Sequence, residues 1–328
     1  MNGTGKMKAV HVTAFGGAEV LSLVELPIPQ PGPGEILVRL DAIGVNYSDI
    51  VTRQGLRGGT PPYVCGQEGA GQIHGLGEGV RDLAEGDLVS FTGARTGTYA
   101  EFTAVNQDRV FKAPPGVTPE VAATLQIMGI TVHYLMHDVF ALGAGHQCLI
   151  HAGAGGVGHI AIQTAKAKGA KVFTTVGSAE KAELAKGYGA DEVILYRDVD
   201  FKDRLLELTD GRGVDVVYDA IGKETIERSI ACVAFQGTLV LFGDTSGVAA
   251  PVDTRALGKK AIYLTRVGMP SFIPDWESVT RRCSEMLALV EAGKVKLNIQ
   301  PARRLAEAVE MHRDLEGRKT VGKNILVP

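Results

Sequence analysis

No stretch of this 328-residue sequence stays apolar long enough to span a membrane, and no basic-then-apolar leader opens it. Neither a membrane-embedded nor a secreted protein is expected. Charge is thin and balanced: 34 Lys and Arg against 37 Asp and Glu leave a net charge of −3. With no basic stripe to grip a phosphate backbone, nucleic acid is not an expected partner. Cysteine is scarce. Cys65, Cys148, Cys232 and Cys283 are too scattered for a disulfide framework or a metal clip, and read as buried reduced thiols of a cytoplasmic protein. Low-complexity tracts and internal repeats are missing as well.

Glycine, in contrast, is abundant: 42 residues, roughly twice the ~7% of an average protein. These glycines sit singly or in short loops, which implies tight turns and close backbone approaches. The length suits two domains. Residues 1–6 read as a loose leader. Short β-like runs follow at 8–12, 21–25, 35–45, 69–76, 87–91 and 99–106, separated by Pro- and Gly-rich turns such as 27–34. That pattern predicts a compact β-barrel-like domain interrupted by one helix at 47–54.

After Pro119 the pattern changes. Residues 121–141 have apolar helical spacing, and strands then alternate with helices. The strands are predicted at 147–151, 171–176, 192–196, 214–220, 238–242 and 261–265. The helices start near Val157 and span 179–188, 200–208 and 225–234. Such alternation builds a parallel sheet covered by helices. Two more amphipathic helices, around 276–290 and 305–312, and a closing strand at 322–327 are too short to form a core alone and must pack on an earlier domain.

The stretch Gly153-Ala154-Gly155-Gly156-Val157-Gly158 fits G-x-G-x-x-G, directly after a strand and opening a helix. Gly153 is expected to permit the tight turn, Gly155 to leave room for a pyrophosphate, and Gly158 to let the helix approach the sheet. The helix N-terminus then holds the phosphates. NAD-binding chains place Asp or Glu at the end of the second strand; here stands Val176-Gly177-Ser178. The Ser178 hydroxyl and Lys181 suit a 2′-phosphate instead, so NADPH is the expected cofactor.

Further stretches carry a resemblance over about residues 7–328. They are Ala42-Ile43-Gly44-Val45-Asn46-Tyr47-Ser48-Asp49, Gly66-Gln67-Glu68-Gly69-Ala70-Gly71, Gly97-Thr98-Tyr99-Ala100-Glu101-Phe102 and Gly129-Ile130-Thr131-Val132. Val217-Tyr218-Asp219-Ala220-Ile221-Gly222 and Phe242-Gly243-Asp244-Thr245-Ser246-Gly247 complete the series. Together with the nucleotide loop they resemble the zinc-independent quinone oxidoreductase branch, zeta-crystallin-like, of the medium-chain dehydrogenase/reductase superfamily. The resemblance implies an α/β protein: a chaperonin-10-like (GroES-like) β-barrel catalytic domain plus a Rossmann doubly wound parallel sheet. The implied division is 1–128 for the catalytic domain, 129–267 for the NADP-binding domain and 268–328 for a return to the catalytic domain. It further implies a homodimer joined through the Rossmann sheets. Asn46 and Thr131 should lie beside the nicotinamide ribose and ring, and Ser178, Lys181 and Tyr196 around the 2′-phosphate. Gly222, Phe242, Gly243, Thr245 and Ser246 should line the rest of the cofactor groove.

Zinc-dependent relatives of this superfamily carry Cys at the place of Asn46 and His at the place of Gln67, and neither replacement is a plausible zinc ligand. The histidines, including His133, His137 and His151, are read as structural, so no metal is expected. A quinone or conjugated carbonyl needs no Lewis acid, because its own conjugation spreads the charge left by hydride. Catalysis can rest on positioning, with Asn46, Tyr47, Asp49 and Thr131 as the candidate catalytic residues: Tyr47 or neighbouring backbone is to stabilise the oxyanion, unless the ring simply packs, and Asp49 is either to orient the local backbone or to be an ordinary helix-capping or surface carboxylate. Some quinone reductases of this branch carry tyrosines further along the same helix, at places held here by Val51 and Arg57. Two alternatives stay open: an NADPH-dependent enal, enone or enoyl-thioester reductase, and a non-catalytic NADPH-binding protein of crystallin-like or RNA-binding kind.

Overall fold

The structure is a computed structural model that describes residues 5–328; residues 1–4 of the expected leader lie outside the described residues. Two compact units emerge. The first holds residues up to Ile130 with Ile273–Glu285 and Ile299–Pro328, and the second holds Thr131–Phe272 with Met286–Asn298.

In the first unit β1 (Lys6–Val12) starts inside the expected leader, at Lys6. It pairs antiparallel with β2 (Leu21–Pro27), and its end pairs with β4 (Tyr63–Val64). The strand β3 (Glu35–Val45) organises a larger sheet. It pairs with β5 (Glu68–Leu76) and β7 (Phe102–Asn106), while β6 (Leu88–Thr92) joins β5 to β8 (Val110–Lys112). The expected run 99–106 is strand only from Phe102, because Gly97 turns the chain at φ 77° and Ala100 makes only an isolated bridge to Ala9. The C-terminal strand Asn324–Val327 adds to β3 antiparallel, as a short tail lacking its own core must. Val38, Ile43, Phe91, Tyr99, Met311 and Leu326 share one apolar core.

A helical run leads from one unit into the next. It starts at Pro119, at the favoured first position, behind the cap Thr118. Two π-helical turns, Leu125–Gly129 and Leu135–Val139, interrupt the α geometry that the apolar spacing predicts.

The second unit is built on six parallel strands: β9 (Gln147–His151), β10 (Lys171–Val176), β11 (Glu192–Leu195), β12 (Val214–Asp219), β13 (Val233–Leu241) and β14 (Tyr263–Arg266). Their order is β11-β10-β9-β12-β13-β14, so the chain reverses its direction of travel between β9 and β12. That reversal is the topological switch point of a Rossmann sheet, where ligands settle beyond the C-terminal strand ends. Helices Gly156–Ala167, Ala179–Gly187, Phe201–Leu208 and Ile226–Cys232 provide the crossovers. β13 starts five residues before the expected 238, and a short helix Thr254–Gly258 has no counterpart in the sequence pattern. His151 is a structural histidine: it is buried and hydrogen-bonded to Thr175 Oγ1 at 2.9 Å and Ser229 Oγ at 3.0 Å. Among the described residues no helix is long and apolar enough to cross a membrane.

Candidate active site

The nucleotide loop leaves β9 at Ala152, whose φ of 57° makes the tight turn. The sequence pattern assigns that role to Gly153. Gly153 instead packs on the Thr174 and Ile162 side chains, where a Cβ would collide. Gly158 lies against the backbone of Ala152 and Gly153, so only a residue without Cβ lets the helix approach the strand. Gly155 is the helix N-cap, with extended backbone and no side-chain capping hydrogen bond to the amides that follow. Ala154, Gly156 and Val157 complete this turn, which presents N–H groups and a positive helix end to an anion.

At the end of β10 Ser178 caps the next helix, accepting from the Lys181 N–H at 3.3 Å. Its hydroxyl proton is left to donate. Lys181 and Tyr196 are half-buried, and the Tyr196 hydroxyl lies close enough to Gly177 to bar a Cβ there. No carboxylate occupies residues 176–178. At the ends of β12 and β13, the Thr245 and Ser246 N–H groups donate to Ala220 and Ile221, and Ser246 Oγ accepts from the Glu224 N–H at 3.0 Å. Gly222, after β12, lies against Phe242 and Gly243, after β13: Phe242 N–H donates to Asp219, and a Cβ on Gly222 would meet the Gly247 and Gly243 carbonyls. Thr131 is buried in the helical run at the start of this unit.

In the first unit Asn46 ends β3 and caps the helix Tyr47–Arg53. The Asp49 carboxylate accepts the Asn46 N–H at 2.9 Å, closing a capping box. Asp49 is therefore a helix-capping carboxylate that holds the Asn46 backbone, but it is buried and has more partners. Gln67 Nε2 donates to its Oδ1 at 3.2 Å, and the Tyr99 hydroxyl to its Oδ2 at 3.3 Å. Burial is the main cause that pushes the Asp49 carboxyl up to about 7, with Glu68 adding to it against the Asn46 N–H, Lys323 and Tyr99. Tyr47 sits half-buried in the first turn.

A second buried cluster adjoins it. Asn46 Nδ2 donates to Glu68 Oε1 at 2.8 Å, and the Ile127 N–H to Glu68 Oε2 at 2.7 Å. Lys323 Nζ bonds Asn46 Oδ1 at 3.2 Å and forms a short ion pair with Glu68. Both ionic side chains are wholly buried. On the other side of Asp49, Tyr99 continues through His312 to Arg53 and Glu316. The sequence alone singles out none of Glu68, Tyr99, His312 and Lys323 as a site residue.

Asp49 and Gln67 line an open cavity of about 740 Å³, with Tyr63, Thr52 and Arg57 among its polar walls and Leu26 and Ile28 among its apolar ones. The Tyr63 hydroxyl is buried with no hydrogen-bond partner among the described residues. Burial lifts its pKa to about 12, so it stays a neutral donor.

An alcohol dehydrogenase GroES-like domain matches residues 32–115, and a zinc-binding dehydrogenase domain matches residues 156–285. A quinone oxidoreductase of Pseudomonas aeruginosa is 38% identical over 323 residues, covering 98% of this chain and 99% of its own. The chain belongs to the quinone oxidoreductase branch of the medium-chain dehydrogenase/reductase superfamily. It is an oxidoreductase. The Escherichia coli quinone oxidoreductase, solved in complex with NADPH, superposes with a TM-score of 0.95 at 37% identity, covering 98% of this chain and 100% of that one. A 2-haloacrylate reductase of a Burkholderia species is 33% identical over 321 residues, covering 95% of this chain and 96% of its own.

Zinc does not fit the Asn46–Glu68 cluster, although His133 and His137, read from the sequence as structural and without metal-ligand spacing, and Glu285 do bring their ligand atoms within 4.8 Å of one another elsewhere. Asn46 offers an amide, and the Lys323 ammonium already sits between Asn46 and Glu68 as a fixed positive charge. A divalent cation would have to displace it, with no thiolate or imidazole among these partners to hold the ion.

Proposed function

We propose that the chain is an NADPH-dependent, zinc-independent reductase that transfers hydride to a quinone. The observation that carries the reading is the loop 152–158 opening a helix at a Rossmann switch point, with Ser178 and Lys181 in place of a ribose-binding carboxylate. The bound nicotinamide supplies the hydride. Gly153, Ala154, Gly155, Gly156, Val157 and Gly158 hold the pyrophosphate. Ser178, Lys181 and Tyr196 surround the 2′-phosphate, while Gly222, Phe242, Gly243, Thr245 and Ser246 line the groove. Asn46 and Thr131 orient the nicotinamide ribose and ring, and Tyr47 donates toward the acceptor oxygen.

Lys181→Ala is expected to weaken NADPH by about 1.5–3 kcal/mol and to leave NADH nearly unchanged, the loss of one charge-assisted phosphate contact. Fluorescence titration with both cofactors checks this; equal weakening of the two would reject the assignment.

A panel of ortho- and para-quinones, 2-alkenals, 2-haloacrylates and enoyl thioesters, followed by NADPH oxidation, tests the activity itself. Quinone turnover that survives exhaustive chelation, with poor oxidation of simple alcohols, is expected. Activity lost with a removed zinc would overturn it. Reduction of a conjugated carbonyl is the second reading. It is favoured by Val51 and Arg57 at the tyrosine places and by the likeness to the haloacrylate reductase. Enal or haloacrylate turnover with negligible quinone turnover would select it.

We also propose a cytoplasmic homodimer joined along β14, an edge of the Rossmann sheet with Tyr263 exposed. Light scattering that gives the mass of one chain at micromolar concentration would remove the dimer.

A further inference from the structure

The chain Arg53–His312–Tyr99–Asp49 has only one possible direction. A guanidinium can donate but never accept, so at 3.1 Å from Arg53 the His312 Nδ1 must be the bare nitrogen. His312 is then the neutral Nε2–H tautomer, and burial together with Arg53 holds its pKa down to about 3. Its Nε2–H, 2.9 Å from Tyr99, must donate to the phenol oxygen. The phenol proton is thereby directed to Asp49 Oδ2. Oδ2 also accepts the Asn46 N–H, so both its acceptor positions are filled. Burial raises the Tyr99 hydroxyl well above its ordinary range, so it does not ionise and the direction holds.

A proton on Asp49 can therefore sit only on Oδ1. Among the described residues that oxygen has one partner, the Gln67 amide, which can turn to accept instead of donate. Asp49 and Gln67 both line the cavity. We propose that Asp49 is the proton donor of the reaction, delivering the Oδ1 proton to the reduced acceptor, and that Tyr99, His312 and Arg53 are positioning residues that confine the proton to that oxygen.

The inference rests on the reductase reading above. Once the acceptor has taken a hydride it carries an oxyanion. The Asp49 Oδ1–H bond breaks, an O–H bond forms on the acceptor, and Asp49 is left as a carboxylate. Solvent returns the proton through the open cavity. The ionisable groups facing Asp49 are Glu68 and Lys323 of the neighbouring cluster, Tyr99, Tyr63 and Cys65, with Arg53 and His312 behind Tyr99. Burial and Glu68 oppose ionisation most, which brings the titration into the working range.

The active form is the protonated one. With saturating NADPH, kcat/KM for a quinone or enal should fall as pH rises through about 7. Asp49→Asn should lower kcat/KM by about 10²-fold at pH 6 and flatten this limb, with NADPH affinity unchanged. Asp49→Glu should restore part of the rate. Tyr99→Phe removes a donor to the carboxylate and should move the limb up by about one pH unit. In the cofactor-free protein, isotope-edited infrared spectroscopy should show a protonated carboxyl band that titrates near neutrality and is lost in Asp49→Asn. This readout holds even if Tyr99→Phe fails to fold. A limb unmoved in Asp49→Asn, or an Asp49 band titrating in the ordinary carboxylate range, overturns the inference while acceptor turnover leaves the reductase reading standing. No NADPH oxidation with any acceptor sinks the reductase reading instead.

Discussion

Gly155→Val is expected to abolish NADPH binding, a loss of at least about three orders of magnitude or ~4 kcal/mol, while the protein stays folded. The two halves of that expectation come from different atoms. Gly155 has φ −79° and ψ −178°, extended backbone that any residue adopts. A Cβ there would meet the Ala152 carbonyl oxygen at 3.1 Å, which a few tenths of an ångström of adjustment relieves, and the Ala152 Cβ at an ordinary 3.9 Å. The valine methyls, however, would stand over the exposed amides at the start of the helix, in the space an anion must enter. The same change at Gly158 would be a poorer test, because its Cβ runs into backbone and the fold itself would suffer. Calorimetry with NADPH, alongside thermal unfolding of the variant, decides the matter. Undiminished affinity in a folded Gly155→Val protein would mean that the phosphates bind elsewhere.

Lys323→Met should destabilise the protein by about 3–5 kcal/mol, because it leaves the Glu68 carboxylate buried without its counter-charge. Glu68 would keep the Asn46 and Ile127 donors, but those were made alongside the ammonium and do not neutralise it. The double variant Glu68→Gln with Lys323→Met should recover most of the loss. The glutamine amide introduced there can still accept from Ile127 and bond Asn46, and no net charge remains inside. Denaturant unfolding of the two variants measures both effects. If Lys323→Met alone unfolds like the parent protein, the ion pair contributes nothing and the cluster is held by its hydrogen bonds.

Much of the second unit is legible in the sequence, since its strands are apolar runs bounded by glycines and its helices carry their own spacing. β9 and β10 fall where the pattern places them. The six glycine-loop residues stand out from local context alone. Where pattern and structure part, tertiary contacts decide. β4 and β8 are two and three residues long and exist only because β1 and β6 stand beside them. Ala152, and not a glycine, takes the left-handed turn, which no residue-type rule anticipates. The π-helical turns leave the apolar spacing almost intact and so stay hidden. The site in the first unit is half visible. Asn46, Gln67 and Asp49 are conspicuous through the resemblance, yet the partners that tune them lie far along the chain. Glu68 meets Lys323 across 255 positions, and Tyr99 meets His312 across 213. A lone His on an amphipathic helix or a Lys before a closing strand carries no local signal of such a partnership. Tyr63, too, reads as an ordinary strand aromatic until the cavity beside it is known.

The antiparallel pairing of Asn324–Val327 with β3 also sets an order of events during synthesis. Every strand of the Rossmann sheet, from Gln147 to Arg266, leaves the ribosome before Lys323 does. The later half of the molecule can therefore close into a sheet while the earlier half still waits for a strand and for the ammonium that neutralises Glu68. In the growing chain that earlier half exposes the open edge of β3 and a carboxylate without its counter-ion.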